Sequence, residues 1–155
     1  MKSKEWLNKI SSKAPTIKYP FLSRAHGGYA SDGIVIAHAP DLDCNPCYCS
    51  KCESNLESLP KILNDIKKVA IYEREKRVTI NKQDLMNSLK GNQTWRLDFY
   101  NYTLETENLK RLIMGMQGEI SMIALPPTET SWYGKYPRPV YVTDGNREGV
   151  ICPLL

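Results

Sequence analysis

No apolar run in this chain approaches the ~18 residues that a membrane span requires. Its first residues, Met1-Lys2-Ser3-Lys4-Glu5-Trp6, lack the apolar core of a secretory leader. These two absences predict a cytoplasmic protein with no membrane partner. Histidine is scarce, only His26 and His38, and lone histidines near turns are mostly ordinary surface or hydrogen-bonded residues. No Ser/His/Asp spacing, phosphate-cradling glycine loop, His-Glu-x-x-His or paired-carboxylate pattern is present. Asp98, Glu105 and Glu107 come nearest to an acidic cluster, and the last two are explained by the start of a helix. The expectation is a protein that is not an enzyme. Internal repeats, low-complexity tracts and linker-like stretches are also missing, which predicts one domain over 1–155.

What is present is ordinary globular composition, 41% hydrophobic and 25% charged over 155 residues. The net charge is +4 but unevenly spread. Lys2, Lys4, Lys9, Lys13, Lys18 and Arg24 face only Glu5 in the first 24 residues. Residues 41–66 lean the other way, with Asp41, Asp43, Glu53, Glu57 and Asp65 against Lys51 and Lys61. Such asymmetry permits a surface facing nucleic acid without requiring one.

Periodicity predicts the elements. Trp6, Leu7 and Ile10 form the buried side of a helix over about 4–12. Pro20-Phe21-Leu22 leads to Tyr29 to Ala37, a turn at Asp32-Gly33 flanked by β-forming residues. Leu59, Ile62, Leu63 and Ile66 share a helical face, with Pro60 tolerated in the first turn. Arg77 to Ile80 is a short strand, and Asn81-x-x-Asp84 reads as a capping-box variant opening a helix with Leu85, Met86 and Leu89 inward. Trp95, Leu97 and Phe99 alternate along a strand. The clearest element is a helix over 105–117, whose Leu109, Leu112, Ile113 and Met116 make one stripe ended by Gly118. A terminal hairpin follows, Pro139 to Thr143 and Gly149 to Leu155 around Asp144-Gly145-Asn146, with Cys152 expected in the core. Trp132, Tyr133 and Tyr136 occupy a Pro/Gly-rich connection, where partner binding and packing on the sheet are equally open.

The sharpest chemical signal is Cys44-x-x-Cys47-x-Cys49-x-x-Cys52. Two C-x2-C pairs can aim four thiolates at one tetrahedral Zn²⁺, and the same ligands suit an iron–sulfur cluster. A reduced loop, or disulfides formed on oxidation, is the plain alternative. Structural zinc is the expected occupant.

Several segments resemble a known family. Val78 to Lys90 is similar to the "V-T-V-x-R-x-E-L-L-x-A-L-K" segment of bacterial sliding clamps, the β subunit family of the replicative polymerase. Phe21-Leu22 and Ala30-Ser31-Asp32-Gly33-Ile34-Val35-Ile36-Ala37 resemble its "F-L-x-G-V … A-T-D-G-x-R-L-A", without the glycine after Leu22 or the arginine after Asp-Gly. Asn108 to Leu112, Pro139 to Val142 and Val150 to Leu155 resemble its terminal helix, "P-V-x-I" strand and "V-x-M-P-M-R" ending. The resemblance misses the cysteine segment at about 41–58 and the connection at 126–138. It implies a single-domain relative of the phage or mobile-element type. The fold it implies is α+β, a clamp-like domain with amphipathic helices packed on antiparallel sheets.

By the same resemblance, the function is that of a processivity or recruitment factor on double-stranded DNA. Carried over by position, Lys82, Lys90, Lys110 and Arg111 would face the phosphates, and Val140, Val142, Pro153 and Leu154 would line a cleft for short peptides of a DNA polymerase or other replication proteins. Family rings hold six domains, so one domain per chain implies a homo-oligomeric ring of about six copies. A buried hairpin explains the four cleft residues as well. Two other functions remain open from the residues alone: a small zinc-binding adaptor, and a monomeric clamp mimic that occupies host peptide motifs.

Overall fold

The computed structural model describes residues 1–11, 21–23, 27–42, 59–130, 134–136 and 138–154. The cysteine cluster Cys44–Cys52, together with His26, Trp132 and Tyr133, lies outside the described residues. Among the described residues, four helices pack on antiparallel sheet, the expected α+β class. They are α1 (Ser3–Ser11), α2 (Leu59–Tyr72), α3 (Lys82–Leu89) and α4 (Thr106–Ile113). No described helix is long and apolar enough to cross a membrane.

Among the described residues, the main sheet has seven strands in the order β1-β2-β3-β11-β10-β7-β4. These are β1 (Phe21–Ser23), β2 (Gly27–Ser31), β3 (Val35–Ala39), β4 (Arg77–Asn81), β7 (Glu119–Ala124), β10 (Val140–Thr143) and β11 (Glu148–Ile151). Every neighbouring pair is antiparallel. Two small hairpins stand apart, β5 (Thr94–Arg96) with β6 (Thr103–Glu105) and β8 (Thr128–Thr130) with β9 (Gly134–Tyr136).

Alternation along the strands sorts side chains onto two faces. On one, Ala30, Val35, Ala37, Met122, Ala124, Val140, Val142 and Ile151 meet Trp6, Leu7 and Ile10 of α1, Leu85 and Leu89 of α3, and Leu109, Leu112 and Ile113 of α4. On the other, Tyr29, Ile123, Tyr141 and Val150 meet Leu59, Leu63 and Ala70 of α2. Among the described residues, the sheet is thus covered by three helices on one side and by one on the other.

Helix α4 keeps its predicted stripe, with Leu109, Leu112, Ile113 and Met116 all buried, but ends earlier than its sequence suggests. The cause is Trp6. Its indole Nε1 donates to the carbonyls of Arg111 and Leu112 at 3.1 and 3.0 Å, acceptors that another helical turn would have used. The ring lies against Gly115, where any Cβ would overlap it. Met116 then bonds back to the Ile113 carbonyl at 2.9 Å, a tighter closing turn.

Other departures are local. Asn81 caps α3 as expected, but its side chain accepts from the Gln83 N–H at 2.8 Å, nearer than the third helical position of a capping box. Ile62, expected inward, is 42% exposed, because the buried arc of α2 centres on Leu59, Leu63 and Ala70. The strand around Trp95 is shorter than predicted and belongs to its own hairpin, while the alternation still buries Leu97. Cys152, expected in the core, is exposed, since β11 stops at Ile151.

Candidate functional sites: a lysine-bearing helix layer and a buried carboxylate

The first candidate is the outer surface of the three-helix layer. Because α1, α3 and α4 each turn an apolar side to the sheet, much of the rest of each helix faces water. Lys2, Lys4 and Lys9 on or beside α1, Lys90 at the end of α3 and Lys110 on α4 are exposed. Glu5, Asp84, Glu105 and Glu107 are the exposed acids on or beside the same helices. The surface is therefore weakly positive, of a kind that can meet phosphates without reading bases.

The residues carried over from the clamp resemblance divide here. Lys90 and Lys110 are on this surface. Lys82 is half-buried, and its Nζ donates to the Met114 carbonyl at 2.9 Å while its backbone N–H donates to Gly118 at 2.8 Å. It ties the start of α3 to the end of α4. Arg111 is committed inward as well, with its guanidinium 2.5 Å from the Asp32 carboxylate and 2.5 Å from Asn108 Oδ1. Burial works against the Asp32 charge, but the N–H groups of Val35 and Ile34 and the Arg111 guanidinium hold its carboxyl below the usual range. Lys82 and Arg111 are better read as tethers than as phosphate contacts. Lys2, Lys4 and Lys9, which carry the basic bias of the first 24 residues, are exposed instead.

The peptide-cleft residues divide similarly. Val140 and Val142 are wholly buried between the sheet and the helix layer, so the cleft assignment is corrected to core for both. They sit on the inner face of a central strand, which has no solvent side. Pro153 is half-buried and Leu154 is 44% exposed, just past the sheet.

The second candidate was not visible in the sequence. Register places Glu148 of β11 beside His38 of β3, and His38 beside Tyr29 of β2, on the α2 face. Glu148 takes Oε1 to His38 Nδ1 at 3.0 Å and Oε2 to the Tyr141 hydroxyl at 2.6 Å. Lys67 of α2 brings its Nζ to 3.0 Å from Oε2. The Tyr29 and His38 rings stack at 4.1 Å with 5° between planes. Desolvation would raise the Glu148 pKa, yet donation from His38, Tyr141 and Lys67 outweighs it and brings the pKa down to about 2. Burial, reinforced by the Glu148 charge, pushes the Tyr141 and Tyr29 hydroxyls up. The cluster borders a cleft of about 480 Å³ under α2, which Asn64 and Lys61 also line. Chemically it is an ionised carboxylate satisfied by three donors from three elements, a tether of α2 to the sheet. His38 and Glu148 are 110 positions apart, so no local motif links them.

A third polar group closes the N-terminus. Arg147 is 9% exposed and donates to the carbonyls of Met1 and Gly115 and to Ser3 Oγ, with its guanidinium over the Trp6 ring at 5.5 Å. Among the described residues no group of three or more His, Cys, Asp or Glu side chains is placed to hold a metal ion.

Comparison with known proteins gives no assignment: no family model, no curated protein and no solved structure matches this chain.

Proposed function

We propose that this chain is a sliding-clamp-like, non-enzymatic processivity or recruitment factor that binds duplex DNA without sequence preference. One observation carries the reading: α1, α3 and α4 form a continuous layer on one sheet face and turn Lys2, Lys4, Lys9, Lys90 and Lys110 to solvent. A factor that slides needs contacts of this type, because phosphate charge is uniform along the duplex while base edges are not. The likeness of three separated segments to sliding clamps supports the same reading. Recruited peptides, in this proposal, engage the surface near Leu154 rather than Val140 or Val142.

The test is duplex binding against salt. Wild-type affinity should fall steeply as salt rises, equally for unrelated sequences. Lys90→Glu with Lys110→Glu should reduce the slope by about 1 for each phosphate no longer neutralised, with melting unchanged. Lys82→Glu should instead lower the melting temperature, since that lysine closes the end of α4. No duplex binding at low salt, or binding indifferent to Lys90 and Lys110, would rule the proposal out and leave a monomeric mimic or an adaptor.

A further inference from the structure

Among the described residues, strand β4 is an edge of the seven-stranded sheet, paired with β7 on one side only. Edge strands in monomers are normally shortened, bulged or broken by proline, because an open edge templates another strand. Here β4 runs in unbroken register with β7 over all of Arg77–Asn81, and its Arg-Val-Thr-Ile-Asn sequence has neither proline nor glycine. Three of its residues, Val78, Thr79 and Ile80, are β-branched, the type that holds a strand extended.

The direction of its backbone groups follows from the flanking hydrogen bonds. Lys82 N–H donates to the Gly118 carbonyl at 2.8 Å, and Ala124 N–H donates to the Lys76 carbonyl at 3.1 Å. Bonded pairs in an antiparallel ladder recur at every second residue. Val78 and Ile80 therefore also turn their N–H and C=O groups to β7, and Arg77 and Thr79 turn theirs outward. Asn81 turns its N–H outward, while its carbonyl opens the α3 helix. Among the described residues, no hydrogen bond reaches these outward groups.

We infer that β4 pairs antiparallel with β4 of a second copy of this chain, about a two-fold axis through Thr79. That register is self-complementary. Thr79 exchanges both backbone bonds with Thr79 of the second copy, and each Asn81 N–H meets the Arg77 carbonyl across the axis. On the α3 face, half-buried Val78 lies opposite Ile80 of the second copy, a β-branched cross-strand pair. On the other face Arg77 lies opposite Asn81, so no like charges are directly opposed. The two sheets become one, and the symmetry is that of an isologous dimer. The proposed DNA contact uses the helix layer, so this pairing does not rest on it.

The test is mass in solution by size exclusion with light scattering over the micromolar range. Wild type should run as a concentration-dependent dimer, with the Thr79 and Asn81 amides protected from hydrogen exchange in the dimer. Thr79→Lys sets two cations against each other on the axis and should weaken association at least tenfold. Thr79→Pro removes an N–H that makes no bond to β7, so it should also give a monomer while circular dichroism and melting stay near wild type. Separate DNA titrations of the Thr79→Lys monomer should retain binding per chain if the helix layer is the contact. A wild-type monomer at every concentration would overturn the inference, as would a dimer indifferent to both substitutions. A larger closed oligomer would overturn it in favour of head-to-tail pairing of β4 with another edge.

Discussion

Glu148 is taken out of water and yet kept charged, and this has a consequence for acid stability. Its pKa lies at about 2 against an ordinary value of 4.5, because His38, Tyr141 and Lys67 all donate to the ionised form. The unfolded chain binds the proton more readily, so the folded state is favoured above the unfolded pKa and loses that advantage as pH falls towards the folded one. Stability should thus decline between about pH 5 and pH 2 by on the order of 2–3 kcal/mol from this group alone. Glu148→Gln should be less stable at neutral pH and should flatten the decline in that window. Denaturant titrations of both proteins at a series of pH values would check it, and an unchanged slope would mean that Glu148 is not the group responsible. Lys67 is 44% exposed, so most of the effect belongs to the bonds from His38 and Tyr141.

Helix α4 shows how one element is fixed from several directions. Its Leu112 lies over Gly149 of β11, where an added Cβ would come within 2.7 Å of Leu112 Cδ1 and would overlap the Ile36 carbonyl. The glycine lets helix and sheet approach closely, and Leu112 fills the space that it leaves. Leu112→Ala should therefore open a cavity and cost ~2–5 kcal/mol. Thermal melts would register that as a drop of many degrees, and a shift of only a degree or two would contradict the packing. The far end of the same helix depends on Trp6, whose ring covers Gly115 and whose N–H serves two terminal carbonyls. Trp6 is itself held under Arg147, which also binds the Met1 carbonyl. Three segments far apart in sequence thus set where one helix ends.

At the scale of the whole molecule, the segment between β3 and α2 joins the sheet to the helix on its opposite face. The four cysteines Cys44, Cys47, Cys49 and Cys52 fall within it. Their spacing suits a single tetrahedral ion, preferably Zn²⁺, and such a site would close this connection much as a disulfide closes a loop. Protein purified without chelator should contain close to one equivalent of zinc by elemental analysis, and removing it should lower the melting temperature. Four freely titrating thiols with no metal would sink the idea. Loss of all folding on chelation, with no DNA binding in the intact protein, would favour the adaptor over the clamp-like factor.

The amphipathic helices, the cap at Asn81, the Asp32-Gly33 turn and the Asp144-Gly145-Asn146 hairpin were all legible in the sequence, because each follows from contacts between residues a few positions apart. So was the division of the helices into apolar and polar sides. The order of seven strands was not, and neither was the presence of helices on both faces of the sheet, since pairing between distant strands leaves no local trace. The same reason hid the Glu148 cluster, assembled from β2, β3, β10, β11 and α2 by register alone. It also misplaced Lys82 and Arg111, whose charges look like surface charges in the chain. Only the tertiary fold brings Met114 and Asp32 within reach of them and turns both side chains inward.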